Sequence, residues 1–454
     1  MSRTVWLGVA SALVLGACSS GSLDEETLAR TTSEMARTDV TAADAGIDGD
    51  RRAAVSASDD YRSALRAAVL RSDVVQSSVR DLRERESEID IARSALRPQI
   101  SASATAGAIR ERTVGRSVGG ATDVSVTQLL FDGGAAAAGI DAGTARAFAA
   151  RADVLSRSND IGEQAARAWV DVWQFSQRLD LLTERVAEVE RVVGTLQRLI
   201  DSGFIDRASL SAAERQVLDI RLEEETLRAQ LQDARVRFNR LMGFMPARVA
   251  APQGLLLRGE PEGLRALWRD SPTLTAAAAR VIATERELEA AQASRRPTVA
   301  VRGGVMSPLS ETDNPNVTVG LVLRHNFGDG GRRAAEVEAL EQRLSSRRLE
   351  LEEGKRAAEQ ELESALSRYR SMLEARGRLN QQIEVIETEN GILRSQLASG
   401  QASLGQVVEG EVRLYRARSR LIEMSAETAL IEVTLVARTG QLATRLGVDL
   451  DSLL

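Results

Sequence analysis

The sequence contains few of the residues that carry catalytic or metal chemistry. Its 454 residues include one histidine, His325, and one cysteine, Cys18. A metal cluster, a disulfide framework and a Cys/His catalytic pair all need more of these side chains than the chain has. No set of nucleophile, base and metal ligands converges in the sequence. These shortages predict a protein that is not an enzyme, with no metal site and no cofactor.

Aromatic residues are also scarce, at 3% of the chain. A conventional large core draws much of its buried area from aromatic side chains, so a core of that kind is not expected. Alanine, leucine, arginine and glutamate dominate instead, which favours long helices that meet along narrow apolar seams. The net charge of −6 argues against a general nucleic-acid binder.

The N-terminus has the features of a bacterial lipoprotein signal peptide over residues 1–17. Arg3 precedes an apolar run that is too short for a permanent membrane helix, and Leu15-Gly16-Ala17-Cys18 resembles the lipobox. This resemblance predicts lipidation of Cys18, and Ser19 after it favours the outer membrane. The alternative is an ordinary signal peptide with a chance cysteine. Residues 18–58 are polar and predict an extended leader.

Residues 59–242 form the first copy of a predicted repeat. Helical periodicity ends before Pro98, whose ring cannot continue a helix. Two segments with strict period two follow, separated by a Gly-rich stretch at 111–121 that predicts a turn or loop. The predicted elements are a helix at 59–95, strands at 99–108 and 123–131, a long helix at 135–202 and a return helix at 209–242.

The same order recurs in residues 271–446, after an irregular connector at 243–270 and before a short tail at 447–454. Arg97-Pro98 reappears as Arg296-Pro297, and Phe131-Asp132-Gly133-Gly134 reappears as Phe327-Gly328-Asp329-Gly330-Gly331. The predicted elements are a helix at 272–294, strands at 298–305 and 317–324, a long helix to 399 and a return helix to 446. The chain is therefore a two-fold repeat of one large unit.

This pattern predicts that several copies assemble. Four strands of roughly ten residues match a bilayer crossing, but the smallest outer-membrane barrels have about eight strands. A helix of 65 or more residues is about 100 Å long and needs neighbouring helices. The second half of the helix predicted at 135–202 has a coiled-coil seam from Leu179 to Ile200. The alternative reading of the strands is a water-soluble β domain beside a coiled coil.

The duplicated order and its local motifs resemble the TolC-type outer-membrane efflux protein family. The resemblance covers about residues 59–446 and rests on the repeated Arg-Pro strand starts, the Phe-Asp-Gly-Gly strand end, and Ser399 to Leu404. It implies a mainly α protein with a small β part: long antiparallel coiled-coil helices and four transmembrane strands per protomer. A homotrimer would share one β-barrel and form a helical periplasmic tunnel.

The resemblance also implies function, partners and place. It implies an outer-membrane channel subunit of a tripartite export system, a passive conduit for small-molecule efflux or type I protein secretion. The partners would be a periplasmic adaptor and an inner-membrane pump of the RND or ABC type, together with outer-membrane lipid. The alternative is a coiled-coil periplasmic lipoprotein with a structural or adaptor role. The cargo, the pump and the adaptor stay open.

Candidate site residues follow from matching the chain to the family. Gln406 and Glu409 match the acidic pore constriction, although only one is acidic, and Glu409 is otherwise an ordinary solvated carboxylate. Ser209 and Ala402 match the polar links that close the family's tip, but these two cannot form an ion pair. The adaptor-docking residues would lie at the hairpin tips, where the glycines also suit helix capping: Gly203, Phe204, Ile205, Gly400 and Leu404.

Two phenylalanines end the second strand of each copy. Phe131 and Phe327 could belong to an aromatic girdle at the membrane interface or pack the base of the barrel. Packing is favoured, because a girdle needs more aromatic residues than this chain has. His325 lies beside Phe327 and is assigned no chemistry.

Overall fold

A computed structural model describes most of the chain after the leader. The residues described are 29–35, 60–111, 115–201, 207–246, 248–252, 254, 261–308, 314–399 and 401–453. The predicted signal peptide, Cys18 and most of the leader lie outside these ranges. So do Gly203, Phe204, Ile205 and Gly400 at the predicted hairpin tips.

The first repeat has four helices and two strands after a short helix, α1, at 29–35. They are α2 (Tyr61–Arg71), α3 (Asp73–Ser94), β1 (Gln99–Glu111), β2 (Gly115–Phe131), α4 (Ala135–Asp201) and α5 (Arg207–Met242). The single helix predicted over 59–95 is wrong, because the helix is interrupted at Ser72. Ser72 has extended backbone angles and its side chain accepts a bond from the backbone N–H of Val75, which is an N-cap.

The second repeat follows the same order, with short helical elements added before and after it. Its elements are α6 (Pro261–Leu267), a 3₁₀ turn (Trp268–Asp270), α7 (Pro272–Ala293), β3 (Thr298–Pro308), β4 (Asn316–Arg324), α8 (Arg332–Ala398), α9 (Leu404–Arg438), α10 (Leu442–Arg445) and α11 (Leu450–Leu453). The connector predicted as irregular therefore contains helical turns. The return helix ends at Arg438 instead of 446, because Gly440 has a φ of 76°, a left-handed value that ends a helix.

The Asp-Gly-Gly motifs of the two copies start the long helices in the same way. Asp132 accepts bonds from the backbone N–H groups of Gly134, at 2.9 Å, and Ala136, at 2.6 Å. Asp329 accepts from Gly331, at 3.1 Å, and from the N–H four residues after it. Both glycines of each motif have positive φ. The repeated sequence thus encodes one repeated strand-to-helix turn.

The four strands form one antiparallel sheet in the order β1-β2-β3-β4. β1 pairs with β2 along its whole length, from Gln99 opposite Thr127 to Glu111 opposite Gly115. The turn or loop predicted at 111–121 is therefore wrong from Gly115 onward, where β2 has already begun, and residues 112–114 lie outside the described part of the chain. Backbone pairing with β1 holds this Gly-rich segment extended, although its side chains carry little strand signal.

The sheet has one apolar and one polar face, because residues paired across neighbouring strands point to the same side. Val126 pairs with Ile100 and with Gly303, which pairs in turn with Val319. The same face carries Val305, Val317, Leu321 and Leu323. The opposite face carries Ser101, Asp123, Ser125, Thr127, Arg302, Thr318 and Arg324.

The helices pack side by side in a row, and their order in it differs near the sheet and away from it. Near the sheet the order is α3-α4-α7-α8, and farther away it is α5-α4-α9-α8. The largest core cluster lies where the first of these helix orders changes to the second. Its centre is the aromatic stack of Tyr61, Trp169 and Phe238, with ring centroids 5.5 and 5.8 Å apart. The C-terminal residues Val448, Leu450 and Leu453 are buried in the same cluster.

The predicted fold class is confirmed: a mainly α chain of long antiparallel helices with a small four-stranded sheet. Within the described part of the chain, none of the helices is long and apolar enough to cross a membrane.

Candidate functional site

The two predicted constriction residues lie at the start of α9, on the second hairpin. Ser403 is the N-cap of this helix, and Gln406 completes a capping box with it. The Gln406 Oε1 atom accepts from the Ser403 backbone N–H at 2.8 Å. Glu409 follows one turn later, and its side chain is 73% exposed and 3.6 Å from Arg413. Both side chains therefore lie on an exposed face of the protomer, with Gln406 partly occupied by its own cap.

The residues matched to the family's tip links do not make such a link here. Ala402 has no polar side chain, and the side chains of Ser209 and Leu404 lie outside what the structure describes. Along residues 404–423 of α9, three other polar links join the first hairpin, α4 and α5, to the second hairpin, α8 and α9. Sequence reasoning missed all of them, because their partners are more than 190 residues apart.

The first link is a buried ion pair that crosses from α4 to α9. Arg185 and Glu411 are 6% and 9% exposed, and their charged groups are 3.7 Å apart. Arg185 also donates to the backbone carbonyl of Val408 at 3.3 Å. Arg394 of α8 binds the other oxygen of Glu411. The Glu411 carboxylate therefore holds three long helices together, only two residues from Glu409.

The second and third links lie farther along the same seam. The Tyr415 hydroxyl donates to Glu223 of α5 at 2.7 Å, and burial together with this carboxylate raises the pKa of Tyr415. Arg178 of α4 donates to Ser419 at 3.1 Å and pairs with Glu423 at 3.0 Å. These contacts fix α9 against both helices of the first hairpin.

One buried amide near these links is unsatisfied. Asn390 of α8 is 3% exposed, and neither its Nδ2 nor its Oδ1 atom has a hydrogen-bond partner in the described structure. It packs against Gly410 of α9, where an added Cβ would lie 2.2 Å from Oδ1. Gly410 therefore permits α8 and α9 to approach closely at this level.

The polar sheet face carries a second polar cluster. Arg302 donates to Ser125 at 3.3 Å and lies 3.9 Å from Asp123. The hydroxyl groups of Ser101 and Ser125 are 3.1 Å apart. The cluster links β1, β2 and β3 across the face opposite the apolar residues.

The two phenylalanines at the strand ends are exposed, Phe131 by 52% and Phe327 by 93%. A single copy of the chain therefore buries neither ring, and their packing at the base of an assembled barrel stays a prediction. His325 stacks edge-on against Phe327 with centroids 4.5 Å apart. Among the described residues, no group of His, Cys, Asp and Glu is arranged to hold a metal ion.

A sheet with one lipid-compatible face, joined to helical hairpins far longer than a globular core requires, defines a class of protein: a subunit of an outer-membrane channel. The sequence profile described as "Outer membrane efflux protein" matches residues 64–244 and 264–441. The chain belongs to the outer membrane efflux protein family. The matched ranges cover nearly all of both repeats, and the family is one of channels.

Individual relatives agree with this assignment. The outer membrane efflux protein BepC of Brucella suis biovar 1 (strain 1330) is 22% identical over 409 residues, which are 86% of this chain and 88% of BepC. The structure of the outer membrane protein VceC from Vibrio cholerae has a TM-score of 0.74 at 17% identity, covering 83% of this chain and 95% of VceC. The open state of the Neisseria gonorrhoeae MtrE channel has a TM-score of 0.72 at 15% identity, with 84% and 89% covered. These structural similarities establish the shared fold.

Proposed function

We propose that the protein is the outer-membrane channel of a tripartite export system, formed by three copies of this chain. The observation that carries the proposal is that both the sheet and the helical row have two open edges. β1, α3 and α5 form one edge, and β4 and α8 form the other. Such edges allow each copy to join the next around a ring.

The sheet edges need partners if the sheet lies in a membrane. All nine residues of β4 are exposed, including Val319 at 80% and Leu321 at 71%. Unpaired backbone groups in lipid cost several kcal/mol each, so β4 must meet another strand there. Three copies would supply twelve strands, which is above the minimum of about eight for a closed barrel. The apolar face would then meet lipid, and Arg302 would face the lumen.

The helical edges carry matching apolar pairs. Leu218 and Leu222 of α5 are 65% and 69% exposed, while Val385 and Ile392 of α8 are 66% and 54% exposed. The links from Glu223 to Tyr415 and from Arg418 to Glu387 place both pairs at about the same height.

Copies related by rotation about one axis meet at equal heights, so these pairs would face each other between protomers. Full burial of a side chain of this size contributes about 1.5–3 kcal/mol.

The remaining functional assignments follow from this assembly. Gln406 and Glu409 would form a ring at the narrow end, where three Glu409 carboxylates attract cations. Gly203, Phe204, Ile205, Gly400 and Leu404 would contact a periplasmic adaptor, and an inner-membrane pump of the RND or ABC type would supply energy. An acyl group on Cys18 would anchor each copy to outer-membrane lipid.

Cysteine cross-linking tests the assembly. With Leu222→Cys and Val385→Cys in one chain, oxidation should yield disulfide-linked dimers and trimers on a non-reducing gel. The matched control pairs Leu222→Cys with Leu349→Cys. Leu349 is equally exposed on α8 but lies 36 residues before Val385, a distance of about 54 Å. This control should not cross-link.

Ion conduction in a planar bilayer tests the channel itself. Purified full-length protein should form trimers that conduct ions. A monomeric, non-conducting protein that leaves the membrane once its lipid is removed would instead support a structural coiled-coil lipoprotein.

A further inference from the structure

The part of the helical row nearest the sheet contains an arginine-rich cavity of about 440 Å³. Its wall includes residues from α3, α4, α7 and α8. Five of the lining side chains are arginines, and two are carboxylates, Asp153 and Glu287. The arginines are Arg85, Arg146, Arg280, Arg343 and Arg347.

Two of the arginines are held by carboxylates inside the cavity. Arg146 binds Glu287 through two nitrogens at 2.6 and 2.9 Å, and Arg280 binds Asp153 at 2.5 Å. Arg343 lies 3.9 Å from Glu287, which Arg146 already occupies. Each guanidinium has five N–H donors, so these contacts orient the groups and leave donors for a ligand.

The other two arginines pair with carboxylates outside the cavity lining. Arg85 binds Glu88 at 2.8 Å and Arg347 binds Glu350 at 2.7 Å, each on its own helix. Five guanidinium groups thus face four carboxylates, and only two of those carboxylates line the cavity. The space itself is bordered by an excess of positive charge.

The cavity lies on the concave side of the helical row. α3 and α8 stand at opposite ends of the order α3-α4-α7-α8, yet Arg85 of one and Arg343 of the other line the same space. Side chains from both ends converge only if the row curves around them.

A row that closes into a tunnel has its concave side inward. If the proposed channel is correct, each copy therefore presents this cavity to the tunnel, below the sheet. Arg302 and Arg324 lie on the polar sheet face above it. Anionic groups moving toward the membrane would meet arginine at both levels, in contrast to Glu409 at the other end.

We infer that this cavity is an anion-binding site that takes the carboxylate, sulfate or phosphate groups of anionic cargo. Guanidinium groups bind such planar or tetrahedral oxyanions through two parallel hydrogen bonds. A concave wall of one charge concentrates counter-ions from solution. The neighbouring carboxylates hold the arginines in place and leave room for a small anion. The place of the site in transport rests on the proposed function, but binding itself does not.

Calorimetric titration of the full-length protein with inorganic pyrophosphate, in detergent and at low ionic strength, tests the site. The variant Arg343→Gln with Arg347→Gln removes two charges without stranding a buried carboxylate, since Arg146 keeps Glu287 and Glu350 is 55% exposed. Because both arginines are partly exposed, we expect pyrophosphate binding to weaken by about tenfold. The matched control is Arg378→Gln, an exposed arginine on the same helix, paired with Glu374.

The double lysine variant, Arg343→Lys with Arg347→Lys, separates charge from geometry. It should bind with intermediate affinity, because lysine keeps the charge but cannot form the two-bond fork. Circular dichroism and size-exclusion chromatography establish that each variant keeps its fold and assembly. Undetectable binding by the wild-type protein, or equal binding by the glutamine variant and the wild type, would overturn the inference.

Bilayer recordings distinguish this inference from the proposed function. Under a KCl gradient, the glutamine variant should shift the reversal potential toward cation selectivity relative to Arg378→Gln. Trimers that conduct but do not bind pyrophosphate would refute the site and leave the channel intact. Protein that binds pyrophosphate but does not conduct would refute the channel and leave the site intact.

Discussion

The ion pair between Arg185 and Glu411 makes a strong prediction about how the two hairpins stay together. In Glu411→Gln, the buried Arg185 loses this carboxylate partner. Removing one member of a buried pair typically costs about 3–5 kcal/mol. Arg394 is 55% exposed, so water compensates it and it adds little. The low end, about 3 kcal/mol, is therefore expected for the local opening of α9.

Hydrogen exchange measures this opening directly. A change of about 3 kcal/mol speeds amide exchange by roughly 100-fold in peptides that cover the start of α9, if exchange follows local opening. The control is Glu389→Gln, whose carboxylate is 53% exposed and pairs with Arg413 at 3.4 Å. Exposed pairs contribute about 0–1 kcal/mol, so exchange should change less than fivefold. Equal effects of the two variants would refute the argument from burial.

Three further predictions concern titration, packing and selectivity. Burial and the carboxylate of Glu432 raise the pKa of Tyr369 to about 12. The neutral Tyr369 hydroxyl stabilises the folded state below the unfolded pKa of tyrosine, about 10. This stabilisation disappears as the pH rises to 12, so Tyr369→Phe should flatten the pH dependence of the melting temperature between about pH 10 and 12. Gly410→Ala should lower the melting temperature, because its Cβ would overlap Asn390, and added Asn390→Ala should restore it. Glu409→Gln should weaken cation selectivity in bilayer recordings.

Each of these has a contradicting outcome. An unchanged pH profile for Tyr369→Phe would exclude a raised pKa. Gly377→Ala serves as the control for Gly410→Ala, since it lies within α8 with nothing within 4 Å of the new Cβ. There alanine should stabilise the helix by up to about 1 kcal/mol. If both variants raise the melting temperature, the close helix approach is refuted. Unchanged selectivity in Glu409→Gln would place that residue outside the constriction.

Local pattern was enough to predict the architecture. Alternation with period two identified four strands, and the duplicated Asp-Gly-Gly motif identified both strand-to-helix turns, because these depend on neighbouring residues. The errors fall where a local signal is weak or subtle. β2 extends back to Gly115 only because β1 pairs with it, and the break at Ser72 depends on one cap.

The sequence by itself determined the repeat, the period of each segment and the amphipathic strands, since these properties repeat within a few residues along the chain. Only the tertiary structure decided which charges meet. Arg185 reaches Glu411, Tyr415 reaches Glu223, and arginines from four helices border one cavity. Such contacts depend on the axial register of helices of 67 residues, where a shift of one turn moves every side chain by about 5.4 Å. No local pattern specifies that register, so the candidate site emerges only from the packed helices.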